Sequence, residues 1–528
     1  MKRMPALVTA SALAVALGTP LVPAGAVGPG PMSAPIAKPG KQEVMAAVDQ
    51  FPALIRQALR QTGVPGLAAA VVYKDKVVYK GAFGVRNVDT GKKITADTVF
   101  QVASVSKPVG ASAVAAAIGD GPAKWDDPIV KWLPNFALSE EWVGRHATVG
   151  DLYAHRSGLP GDSGNTLEAF GFDRGSIIER LRFLPLASFR DSYDYSNFGL
   201  TTAAEAVSRA SGMPWDRLTR KKLFTPLGMR KSTYSYAQFR QQKNRATLHQ
   251  QVDGKWVVGV KRDADAQAPA GGLSSTVGDL AKWLRMELAQ GKFDGKRVVK
   301  RSPLRKALSP QIRRSSTSAP QEPGQFYGFG MNVQTDSTDR QRWDHSGAFT
   351  SGAATIVMMI PELKVGVVIL TNGWPVGLPE ALSQDFGDLV EYGSLQDDWL
   401  ALVEPIFAPL TIPSYTLDGE KKPKDPKPAK PLSTYAGDYA NDYFGSATVS
   451  VDNDKLVLRI GPNGVTRIPL KHWDGDVFYA NELGMPNGFY SGYTFGDVNG
   501  FAGTLTLDGV TNGEETLSRV LLAGGTGN

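Results

Sequence analysis

A charged, proline-rich segment near residue 420 is the feature that most constrains how this chain can fold. Residues 418–431 read DGEKKPKDPKPAKP and contain no large apolar side chain, a composition typical of an extended linker. The 528 residues of the chain also exceed the length of one average domain. We therefore predict a large domain over residues 43–400, a Pro/Lys-rich linker over residues 401–431, and a smaller domain over residues 432–528 that folds separately.

The N-terminus has the three parts of a secretory signal peptide. A basic start and a mostly apolar run come before the small residues Ala-Gly-Ala at positions 24–26. We predict a signal peptide over residues 1–26, a flexible leader over residues 27–42, and a mature protein that is periplasmic or secreted. The alternative is that the apolar run remains as an uncleaved membrane anchor. The sequence shows no other candidate membrane span.

The composition excludes several classes of site. The chain contains no cysteine, so disulfides, thiol nucleophiles and zinc–thiolate sites are ruled out. Its five histidines lack the spacing of metal ligands, and no Gly-rich phosphate loop follows a predicted strand. The net charge is +7, but no basic helix or stripe carries interleaved aromatic residues. We therefore expect no metal, no cofactor and no nucleic-acid partner.

Apolar runs predict strands near both ends of the large domain. Residues 67–73 and 76–83 form one strand-like pair, and residues 353–360 and 365–370 form another. Between these pairs the patterns are mostly helical, and residues 111–118 are small and apolar on every side, which is typical of a fully buried helix. This order favours one sheet built from both ends of the domain and flanked by helices.

The C-terminal region has a different pattern. Short apolar runs separated by Gly, Asn and Asp fill residues 432–528, which predicts a small antiparallel β-barrel or sandwich. We also expect this domain to restrict access to the active site and so to favour short substrates.

The run Ser104-Val105-Ser106-Lys107 is the central chemical signal. A serine hydroxyl is a weak nucleophile until a base takes its proton, and a lysine three residues later on a helix lies on the same face. Pro108 belongs in a first helical turn, so Ser104 is expected at a helix N-terminus. Lys107 can act as the base only when partial burial keeps it neutral. The alternative is a solvated helix start, although Ser104 is the only serine with lysine three positions on.

Two further triplets carry candidate site residues. In Tyr195-Ser196-Asn197, the tyrosine can relay a proton and the asparagine can hold a substrate amide; the alternative is a core tyrosine at the end of a loop. His345-Ser346-Gly347 is the only His-x-Gly in the chain, and its glycine allows substrate backbone to approach closely. The alternative for His345 is a buried histidine that is satisfied by the backbone.

Taken in order, these three elements resemble the motifs of the serine beta-lactamase, penicillin-binding protein and DD-carboxypeptidase superfamily. The flanking runs PGLAAAVVYKDKVVYKGAFG and DTVFQVASVSK are similar as well, and the resemblance covers about residues 45–390. It implies an α+β fold, with an antiparallel sheet flanked by helices and an all-helical subdomain. The domain over residues 432–528 resembles the barrels attached to D-aminopeptidase-like members.

The resemblance also implies roles for individual residues. Ser104 would attack a carbonyl and form an acyl-enzyme, while Lys107 takes its proton. Tyr195 would pass the proton to the leaving group and later activate water. Asn197 would hold the substrate amide, and Gly347 would let the substrate approach.

The third motif departs from the beta-lactamase pattern, because His345 stands where those enzymes have lysine. Histidine at this place is the pattern of D-specific peptidases and makes a beta-lactamase less expected. We expect His345 to titrate near neutrality and to bind a substrate carboxylate better as the pH falls. The backbone N–H groups of Ser104 and Ala348 would form the oxyanion hole.

Three functions remain open at this level. The favoured one is a peptidase or amidase that acts on short or D-amino-acid-containing peptides, including peptidoglycan fragments. The second is an esterase with the same nucleophile. The third is a non-catalytic envelope protein that binds penicillin or peptidoglycan. Fold and motifs do not separate the first two, because they do not determine the leaving group.

Overall fold

The computed structural model describes residues 33–314, 324–413, 415–417, 421–509 and 514–520. The predicted signal peptide and the start of the leader lie outside the described residues. Among the described helices, none combines the length and the apolar character needed to cross a membrane.

The helices lie almost entirely in the large domain. Their bounds are α1 (Lys41–Thr62), α2 (Ser106–Asp120), α3 (Glu141–His146), α4 (Val149–Tyr153), α5 (Asn165–Ala169), α6 (Arg174–Arg180), α7 (Asn197–Ala210), α8 (Trp215–Thr219), α9 (Thr225–Leu227), α10 (Tyr236–Gln241), α11 (Ala268–Gly271), α12 (Val277–Leu288), α13 (Arg301–Ala307), α14 (Leu378–Glu391) and α15 (Trp399–Phe407).

The strands of the main sheet come from the two ends of the large domain, as predicted, and in the described part of the chain six short strands between them form separate two-stranded pairs. The strands of the large domain are β1 (Gly66–Tyr73), β2 (Lys76–Gly84), β3 (Phe100–Gln101), β4 (His249–Val252), β5 (Lys255–Val258), β6 (Ser274–Ser275), β7 (Lys292–Phe293), β8 (Lys296–Arg297), β9 (Ile312–Arg313), β10 (Gln325–Tyr327), β11 (Asn332–Thr335), β12 (Gln341–Phe349), β13 (Ala353–Ile360) and β14 (Val365–Thr371). The main sheet has the order β2-β1-β14-β13-β12-β11-β10-β9. The first hairpin therefore joins the last one through the antiparallel pairing of β1 with β14.

Strand β1 is buried on both faces because helices cover both sides of the sheet. Leu67, Ala69 and Val71 face a core shared with α1 and α14, whereas Ala68 and Ala70 face the larger core around α2. A strand that is buried on both faces is a continuous apolar run rather than an alternating one, which is how β1 reads in the sequence. The predicted α+β class is confirmed.

Helix α2 carries Lys107 into the middle of the domain. It is surrounded by protein from Ser106 to Ala117, because its alanines let neighbouring elements approach closely. A Cβ added at Gly110 would lie 3.1 Å from the Trp215 ring. The prediction of a helix buried on every face is confirmed.

The C-terminal region is a closed antiparallel barrel, as predicted. Its core contains clustered rings such as Tyr435 and Phe495, whose centroids are 4.9 Å apart. The barrel strands are β15 (Gly437–Asn441), β16 (Gly445–Asp452), β17 (Lys455–Ile460), β18 (Thr466–Asp474), β19 (Val477–Asn481), β20 (Tyr490–Gly496), β21 (Thr504–Leu507) and β22 (Thr516–Arg519).

The segment predicted as a linker is not extended throughout. Helix α15 occupies its first residues, where Phe407 is buried and a Cβ added at Gly377 would lie 2.5 Å from Val403. Residues 421–431 contain no helix or strand apart from a bend, in keeping with their proline and lysine content. An amphipathic sequence at residues 399–407 packs against the domain, so the charged part alone behaves as a connector.

Candidate active site

Ser104 lies in a 3-10 turn, Ala103–Val105, directly before α2. The preceding Ala103 has φ 47, a left-handed conformation that is uncommon for residues other than glycine and that often marks functional sites. Two contacts hold the turn: the Ser106 hydroxyl donates to the Ala103 carbonyl at 2.5 Å and accepts from the Leu273 N–H at 2.9 Å. Ser104 is thus placed at the start of the helix, as the sequence predicts.

The Lys107 amine contacts Ser104 and two further oxygens. Its Nζ lies 3.0 Å from Ser104 Oγ, 2.7 Å from Asn197 Oδ1 and 3.0 Å from the Ala270 carbonyl oxygen. Lys107 is fully buried, and this burial lowers its pKa well below the usual value.

A neutral Lys107 matches these three neighbours. A neutral amine has two N–H bonds and one lone pair, and the Asn197 and Ala270 oxygens can only accept hydrogen bonds. If both N–H bonds point to those oxygens, the lone pair faces the Ser104 hydroxyl. The geometry therefore suits Lys107 to receive the Ser104 proton.

Tyr195 lies beside this pair. Its ring centroid is 4.4 Å from Lys107 Nζ. Burial raises the pKa of the Tyr195 phenol well above its usual value, and the Ser104 hydroxyl opposes this effect more weakly. The phenol therefore stays protonated at neutral pH and can donate its proton.

Asn197 is the first residue of α7. The Ser196 side chain caps that helix by accepting from the Gly199 N–H at 3.0 Å. Asn197 Oδ1 faces Lys107, and its Nδ2 donates to Asn165 Oδ1 at 3.3 Å. Both ends of the amide are thus used within the protein.

His345 lies on β12 and is not the pH-responsive group that we predicted. It is 4% exposed, with the Tyr327 hydroxyl 2.9 Å from Nε2 and the Ser346 carbonyl oxygen 2.6 Å from Nδ1. Burial is the main cause that lowers the pKa of His345 to about 3, with smaller contributions from Lys107, when it is protonated, and from Arg314. The expectation of titration near neutrality is wrong, because it used the value of a solvated imidazole.

Gly347 is required by close packing between β12 and the turn that carries Ser104. A Cβ at this position would lie 2.4 Å from the Val102 carbonyl oxygen and 2.9 Å from the Ser104 nitrogen. The next residue, Ala348, lines the same cavity as Ser104. The strand therefore runs directly past the nucleophile, where an oxyanion hole formed by Ser104 and Ala348 is expected.

A cavity of about 480 Å³ opens onto this site. Ser104, Tyr195, Asn197 and Ala348 line it, whereas Lys107 and His345 are buried behind it. The cavity wall also includes charged side chains from α5 and from the loop after β5, which are Glu168, Lys261, Arg262 and Asp263. Residues that follow α15 in the chain complete the wall; these are Leu410, Leu483 and Gly484.

Several site residues were not found in the sequence. Asn165 bonds to Asn197, Tyr327 bonds to His345, and the His155 Nδ1 accepts from the Ser196 N–H at 3.1 Å. None belongs to a motif with a fixed spacing to Ser104, so no local pattern could have found them. Within the described part of the chain, no cluster of three or more His, Asp or Glu could hold a metal ion.

Comparisons with known proteins cover both the large domain and the barrel. A family model described as Beta-lactamase matches residues 51–385, and a domain of unknown function, DUF3471, matches residues 421–511. The octameric penicillin-binding protein homologue from Pyrococcus abyssi has a TM-score of 0.57 at 22% identity, covering 89% of this chain and 99% of that chain. At this identity the likeness shows the fold.

Curated relatives cover most of the large domain or more. The chain is 24% identical over 477 residues to the unguisins hydrolase ungD of Aspergillus violaceofuscus, covering 81% of each protein. It is 28% identical over 331 residues to penicillin-binding protein 4 of Amycolatopsis lactamdurans, covering 59% of this chain and 81% of that protein. It is 22% identical over 336 residues to the D-alanyl-D-alanine-carboxypeptidase/endopeptidase AmpH of Escherichia coli, covering 62% and 85%.

The family model spans more than half of the chain and includes every predicted site residue from Ser104 to Ala348. The chain therefore belongs to the beta-lactamase family of serine hydrolases, which it shares with penicillin-binding proteins.

Proposed function

We propose that this protein is an exported serine hydrolase that forms an acyl-enzyme on Ser104 and acts on short or D-amino-acid-containing peptides. The observation that carries the proposal is the buried Lys107 amine, 3.0 Å from Ser104 Oγ, with two carbonyl-type oxygens taking its N–H bonds. This arrangement also argues against a non-catalytic binding protein. Burial of a lysine beside a serine that lines the cavity costs folding stability, and a protein that only binds its ligand would gain nothing from it.

In the first half of the reaction, the Ser104 Oγ–H proton passes to Lys107 Nζ while Oγ attacks the substrate carbonyl carbon. The carbonyl oxygen becomes an oxyanion, which the backbone N–H groups of Ser104 and Ala348 stabilise. The bond to the leaving nitrogen then breaks, and that nitrogen takes a proton from the Tyr195 phenol. Lys107 returns the first proton to Tyr195, which leaves an ester on Ser104.

In the second half, water attacks the ester carbonyl carbon, and the water proton passes to Tyr195 and Lys107, the groups that moved protons in the first half. The second oxyanion occupies the same N–H groups, and the bond to Ser104 Oγ breaks with return of its proton. The products are a free carboxylic acid and the resting serine.

The peptide preference is supported by the cavity and by the relatives. Leu483 and Gly484 of the barrel line the cavity together with Ser104, so the space beyond the nucleophile is limited. AmpH is named as a carboxypeptidase and endopeptidase. Asn197 lines the cavity with Ser104, and its Oδ1, which already accepts from Lys107, has a second lone pair that a substrate amide N–H could use.

An esterase is the second candidate, and His345 favours it. Because burial holds the pKa of His345 at about 3, this residue brings no positive charge for a substrate carboxylate at neutral pH. A neutral ester would need no such charge.

The test is mass spectrometry of the purified full-length protein after exposure to short L- and D-peptides, p-nitrophenyl esters and penicillin. We expect a covalent adduct on the peptide that contains Ser104, and turnover of at least one peptide. An adduct at another residue would overturn the nucleophile assignment, and turnover of esters alone would favour the esterase. N-terminal sequencing tests export, since a native protein beginning at Met1 in the cytosol would contradict it.

A further inference from the structure

The short helix α5 connects the barrel to the catalytic residues. At its N-terminus, the Gly164 N–H donates to the Tyr443 hydroxyl of the barrel at 3.0 Å. At its C-terminus, the Thr466 hydroxyl of the barrel donates to the Phe170 carbonyl oxygen at 2.9 Å, and the Phe170 and Phe444 rings are 5.6 Å apart. The barrel therefore holds both ends of a helix that belongs to the catalytic domain.

A helix as short as α5 cannot keep its conformation alone, because isolated helices of this length are unstable in water. Gly164 has φ 83, and a Cβ there would lie 2.6 Å from Ile177 and 2.7 Å from Phe198. The backbone is thus pressed against the domain core on one side, while Tyr443, which is buried in the barrel, satisfies its N–H on the other.

The same helix begins a chain of hydrogen bonds that ends at Lys107. Asn165 Nδ2 donates to Asp162 Oδ1 at 3.1 Å, which turns Asn165 Oδ1 toward Asn197. Asn197 Nδ2 donates to that oxygen at 3.3 Å, which turns Asn197 Oδ1 toward Lys107 at 2.7 Å. Each amide can point only one way once its donor end meets an acceptor.

The other polar residue of α5 reaches the cavity wall. Glu168 Oε2 accepts from Arg262 at 2.5 Å and from Gln267 at 2.5 Å, and all three residues line the cavity. Gln267 directly precedes α11, whose Ala270 carbonyl oxygen is the third neighbour of Lys107. Two of the contacts that orient the lysine are therefore connected to α5.

We infer that the C-terminal barrel contributes to the acylation site. Tyr443 and Thr466 act as positioning residues that hold α5 in place. Through Asn165 and Asn197, α5 then fixes the position of the Lys107 amine beside Ser104. This inference rests on the proposed role of Lys107 as the base for Ser104. It assigns to the barrel a function beyond limiting the size of the substrate: loss of one barrel hydroxyl slows the chemistry at Ser104.

The test uses single substitutions in the full-length chain. Tyr443→Phe and Thr466→Val each remove one hydroxyl from α5, and Asn165→Ala breaks the chain of amides. Tyr439→Phe is the matched control, because Tyr439 is also buried, but its hydroxyl donates to the Tyr435 carbonyl oxygen at 2.7 Å and accepts from Arg519 at 3.1 Å, both inside the barrel.

The first measurement is the rate constant for acylation by p-nitrophenyl acetate, with the half-saturating concentration determined separately. We expect Tyr443→Phe to slow acylation about 10-fold with little change in half-saturation, since small misplacements of a reacting group are costly. Tyr439→Phe should leave the rate unchanged. In the double variant, Tyr443→Phe should add less than about 2-fold to the effect of Asn165→Ala, because both act through one chain of contacts.

The second measurement does not depend on activity. Hydrogen–deuterium exchange of the native proteins should be faster over residues 161–170 in Tyr443→Phe than in wild type, and unchanged there in Tyr439→Phe. Equal acylation rates in Tyr443→Phe and wild type, or unchanged exchange over residues 161–170, would overturn the inference. Wild-type protein that is not acylated at Ser104 would instead overturn the proposed function, and the exchange result would still decide whether the barrel holds α5.

Discussion

The catalytic domain and the barrel place ionisable groups differently. In the catalytic domain, Lys107 and His345 are buried, and burial lowers the pKa of both side chains. Each side chain therefore favours its neutral form. In the barrel, Arg467 pairs with Asp452 at 2.9 Å where both are substantially exposed. Burial of ionisable groups costs stability, so the enclosed positions of Lys107 and His345 cost the catalytic domain stability, whereas this exposed pair costs the barrel little.

The largest effect is expected at Ser104 and Lys107, the two residues proposed to carry out acylation. Ser104→Ala should abolish acylation, and Lys107→Ala should slow it by about 10³-fold or more, because no other base lies in the predicted position. Rates of adduct formation measured by mass spectrometry check this.

Folding should survive the loss of the Ser104 hydroxyl, since a single small group contributes little stability. Circular dichroism and thermal unfolding of Ser104→Ala provide the control. If Lys107→Ala were acylated at the wild-type rate, the base would have to be another group, with Tyr195 the next candidate.

A second prediction tests whether the barrel limits substrate length. Leu483 is 43% exposed and lines the cavity. Leu483→Ala should raise the ratio of kcat/KM for longer over shorter peptides by about 3-fold, the size expected when a few carbon atoms leave a pocket.

The control is Leu395→Ala, because this leucine is also 43% exposed but does not line the cavity. An unchanged length ratio in Leu483→Ala would mean that this part of the barrel does not select substrates by size.

A third prediction concerns a buried carboxyl group, Glu287, and its effect on the free energy of unfolding. Glu287 is 1% exposed and accepts from the Ser112 hydroxyl at 2.5 Å, and burial raises its pKa from 4.5 to about 7. The folded protein then binds more protons than the unfolded chain between these values, so the free energy of unfolding falls as the pH rises through this window.

Glu287→Gln should remove that fall, and at about pH 8 it should raise the free energy of unfolding by on the order of 3 kcal/mol relative to wild type. At about pH 4 the difference should be small. Urea unfolding at both pH values measures it, with Glu141→Gln as an exposed control. An equal difference at the two pH values would contradict the assignment.

The smallest effect is expected for His345. Because its pKa is lowered to about 3, it stays neutral from about pH 5 to about pH 8. Acylation by a peptide and by its C-terminal amide should therefore show the same pH dependence over this range. Improved binding of the free acid alone near about pH 6 would show that His345 gains a proton when substrate binds.

The sign of the His345 contribution to stability can be tested separately. A lowered pKa means that the unfolded chain binds the extra proton first, so this contribution is present above about pH 6.5 and is lost as the pH falls toward about 3. His345→Gln should make the protein less sensitive to acid over this interval. Thermal unfolding from about pH 7 to about pH 4 measures the difference.

Local patterns were enough to predict much of the fold. The hairpins at β1–β2 and β13–β14, the enclosed helix α2 and the barrel follow from runs of apolar residues and the turns between them. The helical part of the predicted linker was missed because its apolar residues, such as Val403 and Phe407, lie next to the charged segment that dominates the composition. The domain boundaries themselves remain predictions.

The sequence alone determined which reactive side chains lie close together within one short segment. Ser104 and Lys107 are three residues apart, so their proximity is a property of the local backbone and could be read without a structure. Only the tertiary structure decided the state of these groups, because burial, and contacts such as Asn165 with Asn197 or Tyr443 with Gly164, join residues far apart in the chain. The neutral state of His345 has the same origin, since the pKa depends on how much protein surrounds the ring and not on its neighbours in the sequence.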